Sequence, residues 1–258
     1  MINLAQQYEL ISSVVLDVEI ASIATVDAIS ISQATSASAD QSLSIARAEA
    51  WRQLRARNVF PHDIPIFEVF GDPVSALSPA ERTLLALSLR LKVSDDRLGS
   101  IVGMKHKDAI ATLKEARRQL ARAAIAMTLM TNETRCPVTQ TAQQTFGATL
   151  KRAQAMHLVT HAAECSICVP VLRTVDRQIV ADYAQAAVAA VPADLESRVE
   201  LVDAATRETL VSRASLKSGW APTDENLSHD PRVLLKRAAF FGAVSAVLVA
   251  VGLVLAAR

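Results

Sequence analysis

The chain has 258 residues, of which 51% are hydrophobic and only 4% aromatic, and its formal net charge is +1. That length suffices for one large or two small domains with a real core. Its seven glycines are few for a fold built on strands and tight turns, so an all-α fold is expected. The charge is unevenly spread: residues 1–60 carry four basic against six acidic side chains, 77–124 ten against five, and 170–229 six against nine. A basic segment between acidic ones points to a nucleic-acid surface, or to a patch that its own neighbours neutralise.

Residues 1–60 form the first expected unit, an N-terminal helical region. Met1-Ile2-Asn3-Leu4 has no basic start, and Glu9, Asp17 and Glu19 interrupt the apolar residues that follow, so no signal peptide is expected. A Ser-rich break is expected at Ser30–Ser42. In the strongest helix, Ala39–Arg57, the residues Leu43, Ala46, Ala50 and Leu54 share a face with Trp51 beside it. Residues 61–76, with Pro61, Pro65, Gly71 and Pro73, read as a linker.

Residues 77–130 form the next unit. Ser78-Pro79-Ala80-Glu81 places a capping serine, a proline at the first helical position and a glutamate three residues after the cap. Leu84, Leu87 and Leu91 then make an apolar stripe. A second helix starts at Ser94-Asp95-Asp96, turns its Leu98, Ile101 and Val102 inward and stops at Gly103. A third, basic helix runs from Lys105 to Ala124, with Ala109, Leu113, Ala116 and Leu120 on one face. Short helix, tight turn and basic helix together make a helix-turn-helix, the layout that offers a recognition helix to the major groove. The candidate DNA contacts are Lys105, His106, Lys107, Lys114, Arg117 and Arg118.

Residues 131–190 form a third unit, opened by Asn132 and Pro137, with helices expected at roughly 140–160 and 162–190 and a further one at 194–213. All three cysteines fall here, at Cys136, Cys165 and Cys168. On a helix, His161, Cys165 and Cys168 are four and then three residues apart and point to one side. Cys136 can complete a tetrahedral Cys₃His set, the donor combination of structural zinc, and His157 is an alternative nitrogen donor. In residues 191–237 a helix leads into a polar linker, Lys217–Pro231. Residues 238–257 are free of charge and, as a helix about 30 Å long, match a hydrocarbon core. Arg232, Lys236 and Arg237 precede this stretch and belong on the cytoplasmic side, so a single-pass membrane protein with a cytoplasmic body is expected.

Two resemblances sharpen these expectations. LSPAERTLLALSLRLKVSDDRLGSIVGMKHKDAIATLKEARRQLARA resembles region 4 of the sigma-70 family, above all its extracytoplasmic-function branch. The matching pieces are Ser94-Asp95-Asp96-Arg97-Leu98-Gly99 at the first motif helix, Ile101-Val102-Gly103-Met104 at the turn and Leu113-Lys114-Glu115-Ala116-Arg117 in the recognition helix. Where that family usually has Thr-Val-Lys-Ser-Arg, this chain has Asp108-Ala109-Ile110-Ala111-Thr112, which loses two cations and gains an acid. Ala50-Trp51-Arg52 is similar to part of the family's region 2, but residues 1–45 lack the basic and aromatic side chains that promoter melting uses. The His-x₃-Cys-x₂-Cys string, with Cys136 twenty-five residues before His161, resembles the zinc-binding anti-sigma family.

The resemblances imply a membrane-anchored transcription regulator whose sigma-like helix-turn-helix is controlled by a fused zinc module, with RNA polymerase core and promoter DNA as partners. One alternative is a membrane-bound anti-sigma factor that sequesters a separate sigma factor. A second is a membrane-organising protein with no transcriptional role. No catalytic constellation or phosphate loop is present, and a Cys₃His set leaves no open metal position, so neither an enzyme nor a small-molecule substrate is expected.

Overall fold

The computed structural model describes residues 3–60, 62–69, 71–131, 136–186 and 190–215. Residues 1–218 belong to one compact unit. The polar linker 217–231 and the apolar stretch 238–257 lie outside the described residues, and with them the expected membrane span. Among the described residues no single helix is long and apolar enough to cross a membrane.

The N-terminal region folds as three packed helices, each started by its own side-chain cap. Asn3 with Gln6 opens α1 (Leu4–Val15), Asp17 opens α2 (Val18–Ala34), and Ser38 with Gln41 opens α3 (Ala39–Arg55). In each, the capping side chain satisfies a backbone N–H that the helix cannot. The break lies later than the serines suggest, because α2 continues through Ser30 and Ser32, both buried. Earlier in the helix Ser22 Oγ donates to the Val18 carbonyl and Thr25 Oγ1 to that of Ala21, each at 2.7 Å, whereas the hydroxyls of Ser30 and Ser32 are buried without such a bond.

The middle of the chain follows the capping signals closely. Ser78 and Glu81 form the expected capping box at α4 (Pro79–Leu85), which runs on into a wider turn, Ala86–Arg90, closed by the Leu91 N–H on the Ala86 carbonyl at 2.9 Å. Ser94 precedes α5 (Asp95–Val102), and α6 (His106–Thr131) follows the turn. Tyr8, Leu10, Ile11, Leu43, Trp51 and Leu84 pack with Leu98, Ile101, Leu113 and Leu120 into one core that joins the three N-terminal helices to α4–α6. Each such side chain stabilises the fold by about 1.5–3 kcal/mol on leaving water. Arg82 is enclosed here, donating to the carbonyls of Val14 and Leu77 at 2.7 and 2.8 Å, and burial pulls its guanidinium down to about 10.

The remaining helices differ most from expectation. The helix expected at 140–160 is split. Gly147, with φ +61° and ψ −133°, ends α7 (Pro137–Phe146), and a two-residue strand, β2 (Thr149–Leu150), separates it from α8 (Arg152–Glu164). That backbone geometry is open to glycine at little cost and costly to other residues. The helix expected at 162–190 is likewise replaced by the end of α8, a turn at 165–168 and α9 (Val169–Gln185).

Residues 61–76, expected as a linker, contribute β1 (Phe67–Glu68), which pairs antiparallel with β2 through Phe67↔Leu150 and Glu68↔Thr149. Phe67, Val69 and Ala76 enter a second core with Ile125, Met127, Met130, Leu150 and Leu158. The apolar side chains of this segment thus find partners far away in sequence, which its prolines and glycine do not reveal.

Two charged contacts tie the later helices back to the first core. Arg152, at the start of α8, meets Glu81 of the α4 capping box at 2.7 Å. The C-terminal helices α10 (Leu195–Glu200) and α11 (Ala204–Ser215) return to α2, where Arg213 reaches Asp27 at 3.2 Å and Glu49 at 3.3 Å beside Arg52. Glu81 and Glu49 are themselves buried, so these arginines also keep a buried carboxylate from standing unpaired.

Candidate functional site

The candidate metal site is assembled from three helix ends, the starts of α7 and α9 and the end of α8. Cys136 precedes Pro137 at the start of α7 in extended conformation, so its sulfur faces the free N–H groups of that helix's first turn. His161 lies in the last turn of α8. Cys165 follows the last residue of α8 with φ −91° and ψ 119°, and Cys168 precedes α9. The turn is closed by the N–H groups of Cys168 and Val169 on the Cys165 carbonyl, at 3.0 and 2.9 Å. The chain bends by 114° from α8 to α9 across this turn. His161, Cys165 and Cys168 therefore converge because the helix breaks between them, and not because one continuous helix aligns them.

The donor atoms of Cys136, His161, Cys165 and Cys168 all lie within 4.8 Å of one another, and the group can hold a metal ion. Cys136 Sγ is 3.1 Å from His161 Nε2 and 3.9 Å from Cys165 Sγ. Thiolates around a tetrahedral zinc at about 2.3 Å stand about 3.8 Å apart, so the cysteine pair fits that ion. His157 is exposed on α8 and outside the group, leaving His161 as the nitrogen donor.

The electrostatics of the pocket differ from one sulfur to the next. Burial raises the Cys136 thiol, but the backbone N–H groups of Thr139 and Val138 and the His161 ring outweigh it and bring it down to about 6. Cys168 is pushed up to about 12, by burial first and then by the neighbouring Cys136 and Cys165 sulfurs. Adjacent thiolates repel, and a divalent cation relieves this by taking their negative charge. Cys136 and Cys168 are also core residues, at 1% and 0% exposure, whereas Cys165 is half-buried and borders the exposed Ser166 and Ile167.

The second candidate surface is the start of α6. Gly103 ends α5 with φ +69°, and a Cβ on Gly99 would stand 2.9 Å from the Met104 carbonyl, so α5 lies close against the start of α6. Lys105, His106, Lys107 and Lys114 are exposed, as is the Asp108 among them. Arg118 is exposed too, although paired with Glu115 at 2.7 Å. Arg117 is set apart from this group: it is half-buried and its Nη2 donates to Ser88 Oγ at 3.2 Å.

Two participants escape the spacing argument. The Thr139 hydroxyl donates to the Cys136 carbonyl at 2.9 Å and helps fix that ligand's backbone. The Cys136-Pro137 pair, a helix start with proline at its first position, is the sequence signal that could have shown the sulfur beside free N–H groups. Arg47, buried on α3, holds the end of α5, and no local pattern announces it. No protein-family model, curated protein or solved structure matches the chain.

Proposed function

We propose that this chain is a membrane-anchored transcription regulator: a helix-turn-helix similar to sigma region 4, governed by a fused zinc module similar to anti-sigma factors. One observation carries the reading. Lys105 and the N-terminal half of α6, with His106, Lys107, Lys114 and Arg118, face solvent, while the C-terminal half of α6 supplies Ala123, Met127 and Met130 to the core that contains Cys136 and Cys168. One helix thus serves both a cationic face and a metal centre. Zinc is the ion this reading assigns to Cys136, His161, Cys165 and Cys168. Its contribution is structural, holding the ends of α7, α8 and α9 together. Residues 238–257 supply the membrane anchor, with the body on the cytoplasmic side.

A second reading, an anti-sigma factor for a separate sigma factor, draws support from Arg117 turned toward Ser88 and from Asp108 amid the cations. Both weaken attraction to phosphate. Affinity capture with the full chain in detergent, read by mass spectrometry, separates the two. RNA polymerase core subunits among the captured proteins support the fused regulator. A sigma factor without core supports the second reading. Capture of neither removes both and leaves a membrane-organising role.

A further inference from the structure

Helix α9 is pinned at its two ends and open between them. At its start the buried Cys168 is one of the four metal donors. At its end Tyr183 is 6% exposed, and of the side chains described between Val169 and Asp182 none is buried. Two open clefts run along its later turns, one of about 440 Å³ toward α1 and one of about 380 Å³ toward α6, and Ile179 and Asp182 line both. Clefts of this size leave part of the helix surface without the close packing of a protein interior.

The seat for its far end is built independently of it. Arg90 closes the wide turn after α4 and is paired with the buried Glu9 of α1 at 2.5 Å. Its guanidinium lies 5.5 Å over the Tyr183 ring, and its Nη2 donates to the carbonyl of Ala186, the C-cap of α9, at 3.3 Å. A cation in this place meets both the face of an aromatic ring and the negative end of a helix dipole. Because Glu9 belongs to α1, Arg90 stays paired whether or not α9 is docked. The same turn carries Ser88, which holds Arg117 of α6.

We propose that α9 is a metal-set clamp: zinc at Cys136, His161, Cys165 and Cys168 fixes its start, and through it the docking of Tyr183 and Ala186 on Arg90. The proposal rests on the assignment of zinc to those four donors. With zinc bound, α9 leaves the 165–168 turn in one direction, and Tyr183, fifteen residues or about 22 Å beyond Cys168, falls under Arg90. Without zinc, the half-buried middle and one tyrosine are all that hold the helix, and its far end leaves the seat. Metal and docking are two restraints on one helix, so their coupling is reciprocal. Whatever weakens the docking weakens zinc by the same factor, about 5–150-fold in most coupled systems.

Zinc affinity of the full chain in a non-ionic detergent, measured by competition with a chromogenic chelator, tests this. Tyr183→Ala, fifteen residues beyond the last metal donor, is expected to weaken zinc by about fivefold or more. Leu43→Ala, a core truncation on α3, is expected to leave it within about twofold. Circular dichroism of each zinc-loaded variant checks that it has folded. In the parent chain, removing zinc is expected to speed hydrogen exchange at 179–186 by about tenfold or more and to leave 4–34 unchanged. The proposal is overturned if Tyr183→Ala weakens zinc no more than Leu43→Ala does, or if zinc removal leaves exchange at 179–186 unchanged. A parent chain that binds no zinc overturns the zinc assignment along with it, whereas zinc bound without these effects overturns the clamp alone.

Discussion

Arg47 Nη1 donates a 2.6 Å hydrogen bond to the carbonyl oxygen of Val102, so a buried guanidinium on α3 caps the end of α5 just before the turn into α6. The same guanidinium lies 4.6 Å over the ring of Trp51. Arg47→Met keeps much of the volume and deletes the charge-assisted bond, and is expected to cost about 1.5–3 kcal/mol. Urea unfolding followed by circular dichroism measures it. An unchanged midpoint would mean that the bond contributes nothing net.

Gly99 lies where α5 comes close to the backbone at the start of α6. A methyl group there meets the Met104 carbonyl at 2.9 Å and the His106 Cα and N at 3.1 Å, all of them backbone atoms that cannot step aside. Gly99→Ala is expected to destabilise by about 1–3 kcal/mol, the usual range for overpacking. The sign is the informative part. Alanine normally favours a helix over glycine, so a neutral or stabilised variant would show that the two helices are not in close contact.

The metal centre makes a stoichiometric prediction. The purified chain should carry about one zinc, measured by plasma mass spectrometry, and lose it on Cys136→Ser, His161→Ala, Cys165→Ser or Cys168→Ser. His157→Ala should retain it. Chelation should also lower the helical signal, because Cys136 and Cys168 are core residues as well as ligands.

If the start of α6 contacts DNA, its cations divide into two groups. Lys105→Ala, Lys107→Ala, Lys114→Ala and Arg118→Ala each remove an exposed charge, and each should reduce the salt slope of binding by about 0.9. Arg117→Ala should leave the slope alone, since that side chain is held by Ser88. Titrations at several salt concentrations decide this, and slopes unchanged from the parent chain in all five variants would remove α6 from the interface.

The parts of the fold legible in the sequence are those written in local chemistry. Ser78 with Glu81 sets the start of α4, Gly103 sets the end of α5, and the spacing of Cys136, His161, Cys165 and Cys168 gathers one donor group. The donors converge for a different reason than helical periodicity suggests. Periodicity treats His161 to Cys168 as one helix, whereas the chain turns at Cys165, and a turn brings the same residues together. What stayed hidden is non-local. The partner of Phe67 is Leu150 and that of Glu81 is Arg152, and nothing within ten residues of either signals it. The end of α2 lies beyond the Ser-rich start at Ser30 because Ser30 and Ser32 are buried against neighbouring helices, a packing that a local count of serines does not register.

The unbroken run of α6 through both cores fixes their angular phase. Each residue of an α-helix advances about 100° around the axis. Inserting a single residue between Leu120, which packs in the first core, and Ala123, which packs in the second, would swing the end of α6 that packs with the cysteines about 100° away from its present bearing relative to the lysines. Arg152 would be carried off Glu81 by the same rotation. A seven-residue insertion, nearly two full turns, would restore the bearing and lengthen the separation by about 10 Å. Natural variation in length is therefore expected in the loops around this helix and not within it.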